Sequence, residues 1–143
     1  MEKDIIESKE FAIEVRKSIK GIIELLIAKG QPFSIVAKSD YVSLSPHLDY
    51  IFDKFPDFMR FDLVEYSFET STTDESNLIF RAGFGSGNDV VETEVKVPLH
   101  RVFQIILGTA PIFINFAETK DELEVKKRDR SQLFKTKNQN LFK

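Results

Sequence analysis

The sequence predicts an α+β domain, mainly β: one N-terminal helix, then a small, strongly bent sheet or barrel, then a flexible polar tail. Three observations carry this reading. Ala12, Val15, Ile19, Ile22 and Leu26 recur at alternating three- and four-residue spacing, which places them on one face of a helix. Between Phe33 and Phe116 the chain falls into short alternating or apolar segments parted by Gly, Pro and Ser/Thr turns. After Glu118 it changes to a mixed charge run in which Leu123 and Val125 are the only apolar residues before Leu133.

A chain of 143 residues, 42% hydrophobic and 30% charged, suits one domain with an ordinary core. Fourteen Phe and no Trp supply its bulk, each buried ring removing a large apolar area from water. The formal charge of -3 argues against a phosphate-backbone binder, and so against nucleic acid as a partner. With no Cys, disulfides, thiolate metal sites and cysteine nucleophiles are excluded. The charged start, Met1-Glu2-Lys3-Asp4, lacks the pattern of a signal peptide, and no apolar run approaches the ~20 residues that span a bilayer. The expectation is a cytoplasmic protein with no membrane partner.

In chain order, Ser8 to Lys29 reads as the helix, with Ser8 as N-cap, Glu10 in the first turn and Gly30 with Pro32 as the stop. Ile23 and Ile27 widen its apolar stripe, which leaves two uses open: packing on the domain's own sheet, or a shared homodimer face. Phe33 to Lys38 is the first strand, Ser39-Asp40 a turn, and Tyr41 to Leu44 a short strand. Pro46 starts a brief helical turn, His47 to Lys54, that turns Leu48, Ile51, Phe52 and Phe55 inward, and Pro56-Asp57 breaks it. Phe58 to Thr70 alternates on a two-residue period and reads as one long strand. A polar turn, Thr70 to Ser76, leads into a hairpin of Leu78–Phe84 and Val91–Val97 around Gly85-Ser86-Gly87-Asn88-Asp89. Pro98 then begins a short amphipathic helix, Leu99 to Leu107, and Pro111 to Phe116 returns as a strand to the same sheet. Strands this short and numerous favour a bent sheet or barrel, which also removes exposed edges.

No catalytic set can be nominated. His47 and His100 have no second His or acidic residue at i+3 or i+4, so ordinary surface histidines are the better reading. Gly83-Phe84-Gly85-Ser86-Gly87 resembles a phosphate loop only superficially, because no Lys-Ser/Thr and no helix follow. The carboxylates are scattered and no Gly-x-Ser-x-Gly elbow is present. The expectation is a non-enzymatic binding protein with no metal and no cofactor. Leu-Phe-Lys occurs twice in the tail, at 133–135 and at the terminus, where it reads either as featureless coil or as a short docking motif.

The order of these pieces resembles the ClpXP adaptor family of stringent starvation protein B, SspB. That family shows an aromatic-x-Ala-x-Phe-Gly strand, a strand ending in Val-Pro, and a last strand ending in Phe-Glu. Here they read Phe80-Arg81-Ala82-Gly83-Phe84-Gly85, Val95-Lys96-Val97-Pro98-Leu99 and Ile112-Phe113-Ile114-Asn115-Phe116-Ala117-Glu118, the Phe-Glu interrupted by Ala117. Pro46-His47-Leu48-Asp49-Tyr50-Ile51-Phe52-Asp53-Lys54-Phe55-Pro56 resembles a further family segment.

The resemblance implies an Sm-like β-barrel over 33–118 that binds ssrA degradation tags, within a domain spanning 1–118. It implies a homodimer formed through the helix at 8–29, with Ala12, Val15, Ile19, Ile22 and Leu26 at the interface. It also implies a tail, 119–143, whose Leu141-Phe142-Lys143 docks on the zinc-binding N-terminal domain of ClpX. Carried over by position, Ala82 matches the small residue of the groove floor, with Phe80, Phe84, Ile112, Phe113 and Ile114 as walls; Ala82 and Gly83 together read as a gap left for an extended peptide that takes backbone hydrogen bonds. The tail is shorter than the family's usual tether and lacks its Pro. The competing reading is a small-barrel, Sm-like RNA binder.

Overall fold

The computed structural model describes residues 2–85 and 87–117. The described residues divide into two compact units, one comprising residues 2–15 with 116–117, the other Arg16–Asn115. In the first, α1 (Glu2–Ile6) precedes the opening turns of α2 (Lys9–Ala28). Ser8 caps α2 as expected: its Oγ accepts the Phe11 N–H at 3.0 Å, satisfying one of the orphan donors of the first turn.

In the second unit α2 ends at Gly30, whose φ of 69° only glycine adopts without cost. The Gln31 N–H donates to the Leu26 carbonyl at 2.9 Å and the Gly30 N–H to the Ile27 carbonyl at 3.1 Å, the paired bonds of a Schellman stop. The remaining elements are β1 (Phe33–Lys38), β2 (Ser43–Ser45), α3 (Asp49–Lys54), β3 (Phe58–Leu63), α4 (Glu65–Glu69), β4 (Thr72–Thr73), β5 (Asn77–Phe84), β6 (Val91–Pro98), β7 (Val102–Leu107) and β8 (Ala110–Ile114). They form two antiparallel four-stranded sheets, ordered β3-β1-β7-β8 and β2-β6-β5-β4. The α+β, mainly β expectation holds. Among the described residues the two sheets do not close into one hydrogen-bonded barrel.

Strand alternation makes the core between them. Met59, Phe61 and Leu63 of β3, Ile35 and Ala37 of β1, Leu78 and Phe80 of β5, and Val95 and Val97 of β6 are all buried, while Arg60 and Asp62 of β3 and Lys96 of β6, between them, are exposed. The Phe61 ring meets Phe80 edge-on at 5.4 Å between centroids, tying β3 of one sheet to β5 of the other. On α2, Ile19, Ile23 and Leu26 are buried, and Glu24 accepts the Thr73 hydroxyl of β4 at 2.8 Å.

Four sequence expectations are corrected here. Leu99 to Leu107 is not a helix: a 3-10 turn, Leu99–Arg101, leads straight into β7. A bulge opposite Val36 and Ala37 sets the inward residues Val102 and Ile105 three apart, so this strand imitates helical spacing. The strand that returns after it, β8, pairs with β7 and so lies in the sheet that does not contain the hairpin. Finally, the strand at Phe58 stops at Leu63. Glu65 takes a left-handed φ of 51°, and the chain turns into α4, whose Phe68 packs edge-on against Phe33 at 6.2 Å. Phe55, read as inward, is exposed.

Phe80 is only 1% exposed and holds the two sheets together. Phe80→Ala should therefore lower unfolding stability by about 3–5 kcal/mol, measured by urea denaturation.

Candidate functional site

The residues nominated from sequence divide between two strand ends. On β5, Ala82 and Phe84 continue the inward face of Leu78 and Phe80, but they are half-buried where those two are buried, because the core thins toward the hairpin tip. Phe80 itself belongs to the core rather than to a wall. Gly83 faces the other way and is exposed; a Cβ there would come within 2.8 Å of the end of the Val90 side chain. Gly85, at φ 111°, makes the turn possible, since a Cβ would meet the Asp89 carbonyl oxygen at 2.5 Å.

The edge of β5 is covered in stages. Thr72 and Thr73 of β4 pair with Ile79 and Leu78. Next, the Arg81 N–H donates to the Thr70 hydroxyl at 2.9 Å, at the end of α4. Backbone groups of alternate residues point to the same side of a strand, so those of Gly83 also point away from β6, past the end of this cover. Thr70 does not stand out for this position in the residue pattern, because its segment reads as strand.

Above the outer face of β5 sits a polar cluster, also missed from sequence. Glu92 of β6 accepts hydrogen bonds from the Arg81 guanidinium and, at 2.7 Å, from the Tyr66 hydroxyl of α4. The hydrogen bonds from the Arg81 guanidinium and the Tyr66 hydroxyl hold the Glu92 carboxyl below the ordinary glutamate range, and the bond to Glu92 in turn pushes the Tyr66 phenol up. The cluster fastens α4 across the hairpin.

The other half of the nominated set is β8, the last strand of its sheet. Phe113 pairs with the inward Ile105 and Ile114 with the outward Gln104, so these two neighbours face opposite sides, while Ile112 is the extra residue of a bulge. Ile112 and Ile114 are 45% and 36% exposed. No ladder joins β8 to β5. The sheet's opposite edge, β3, carries the Arg60–Asp62 ion pair at 3.0 Å, the usual guard against stray pairing.

The helix stripe nominated as a dimer face is largely used within one chain. Ala12, Val15, Ile19 and Leu26 are all buried, leaving Ile22 half-exposed; Leu25, outside the stripe, is 56% exposed. The nominated docking triplet, Leu141, Phe142 and Lys143, lies outside the described residues, as does the whole segment 119–143.

Of the histidines, His47 contacts Asp49 at 2.8 Å and stacks on Phe52 at 5.0 Å, and His100 lies 6.0 Å from the Tyr41 ring. Among the described residues no three His, Cys, Asp or Glu side chains gather as a metal set, and no helix is long and apolar enough to cross a membrane. Compared with known proteins, the chain matches no family model and no curated protein.

Because its folded-state pKa is depressed, Glu92 contributes stability above the ordinary glutamate range that is lost as pH falls through the lower, folded value. Between about pH 7 and about pH 3, Glu92→Gln should lose less stability than the unaltered protein, compared by urea-unfolding midpoints.

Proposed function

We propose that this chain is a proteolysis adaptor: it binds ssrA-type degradation tags and tethers tagged substrates to the ClpXP protease, enhancing their breakdown without bond-breaking chemistry of its own. The observation that carries the reading is the end of β5. There Ala82 and Phe84 emerge half-exposed from the core beside the outward-facing backbone of Gly83, on a strand whose cover has just run out. An extended peptide needs such a place, with a small residue to let its backbone approach and apolar surface for alternate side chains. The resemblance to the SspB family falls on these same residues.

On this reading the two sheets, sharing the chain that bends from β6 through Leu99–Arg101 into β7, are an opened form of an Sm-like barrel. Tethering strengthens weak contacts at both ends of the adaptor by raising effective concentration. The ClpX contact is assigned to Leu141-Phe142-Lys143 by resemblance alone. A homodimer would meet through Ile22 and Leu25 of α2, since the rest of the stripe is already buried.

The rival RNA-binding reading fits less well. Arg60 is engaged by Asp62 and Arg81 by Glu92, so two of the sheet cations that would face phosphate are already neutralised.

Ala82→Gln should abolish binding of an ssrA-tagged protein in a pull-down while leaving the thermal midpoint within a few degrees of the original. Unchanged tag affinity removes Ala82 from the site. Deleting 141–143 should abolish capture of the ClpX N-terminal domain and leave tag binding intact; loss of both, or of neither, counts against separate grip and tether.

A further inference from the structure

Resting on that peptide-binding reading, we propose that the β5 edge takes its guest as an added strand through the main chain of Gly83, and that Thr70 fixes where this pairing must stop. The chain's own use of the edge shows what fits there. Leu78 and Ile79 are already paired with an extended segment, Thr73 and Thr72, in an antiparallel ladder. One step on, the Arg81 N–H is taken by a side chain, the Thr70 hydroxyl, instead of by a strand. That hydroxyl is held in turn: it donates to the Tyr66 carbonyl at 3.0 Å and lies 3.2 Å from the Ser67 carbonyl, both within the last turn of α4. It therefore caps the helix end and the strand edge together.

The next outward-facing position on β5 is Gly83, so a guest strand continues the line begun by β4, displaced past Thr70. The occupant is an extended peptide segment with a free N–H at the position facing Gly83. A helical guest, or one with proline there, does not fit. Gly83 needs no side chain of its own for this contact, while Ala82 and Phe84 on the inner face present the surface that a guest's alternate side chains meet. Thr70 is a positioning residue: it touches no guest but denies it the Arg81 bond, limiting both the length and the register of the pairing.

The test is an N-methyl scan. A synthetic ssrA-tag peptide and versions N-methylated singly at each position are titrated against the whole protein by fluorescence anisotropy. Main-chain pairing predicts a loss of about tenfold at the position facing Gly83, with its immediate neighbours tolerant. In Thr70→Val, which keeps the side chain's shape, the freed Arg81 N–H should make a second position, two residues along the peptide, sensitive as well. Hydrogen exchange at Arg81 in the free variant, faster than in the original, checks that the cap has been removed. If the unmodified peptide binds but every N-methylated version binds equally well, main-chain pairing is overturned while the adaptor reading stands. A scan that does not change in Thr70→Val, with exchange at Arg81 accelerated, overturns the role given to Thr70. If the unmodified peptide does not bind, both readings fall.

Discussion

One length of chain has to serve both sheets. From Val91 to Leu107 it runs as β6 beside β5, turns through Leu99–Arg101, and continues as β7 beside β1. The corner is held from both sides. Its first amide, that of Leu99, donates to the Ser76 carbonyl at 2.8 Å, just before β5 begins. The Asn115 side-chain amide, just after β8 ends, reaches the carbonyls of His100 at 3.3 Å and Val102 at 3.1 Å. A tight turn leaves carbonyls without ladder partners, and a side-chain amide is a compact way to satisfy two at once. Pro98 suits the last position before the turn because its fixed φ favours the extended approach. The starting point of β5 and the finishing point of β8 are thus set by the same bend, and with them the two open edges.

Much of the architecture was legible because it rests on local chemistry. Ser8, Gly30 and Pro32 mark the bounds of α2 by capping and stop signals that need no tertiary partner. The hairpin was readable because its glycines answer a steric demand visible in the residues themselves. The misreadings came where long-range pairing overrules local pattern. A bulge in β7 moved its buried residues to a spacing that looks helical, and a bulge exists only against a partner strand. At Val64 to Phe68 the two-residue period was real, but Phe68 finds Phe33, 35 residues earlier in the chain, and a left-handed Glu65 allows the turn that brings it there. Sheet membership of β8 was invisible for the same reason.

The candidate site was legible in part. Ala82 and Gly83 stand out because small residues between Phe80 and Phe84 suit no ordinary core strand, and their half-exposed and exposed settings agree with that. Phe80 was assigned to the wall by its place in the motif, yet alternation continues from Leu78 and carries it into the core. Thr70, Tyr66, Arg81 and Glu92 come together only after α4 folds across the hairpin, and no spacing rule connects residues from three elements. The stripe on α2 was read correctly as apolar, but its width did not reveal which side would be covered by the chain's own residues.

Among the described residues no strand pairs with the outer edge of β8, and this bears on how the protein behaves when concentrated. Ala110-Pro111-Ile112-Phe113-Ile114 carries no charge, and short uncharged apolar strands are templates on which like segments stack. Two features stand against runaway stacking: Pro111 lacks a donor, and the bulge at Ile112 breaks the even spacing that repeated layers require. The tolerance of this chain for handling at high concentration therefore depends on one proline and one irregular residue, and a substitution that regularises either one trades solubility for a straighter strand.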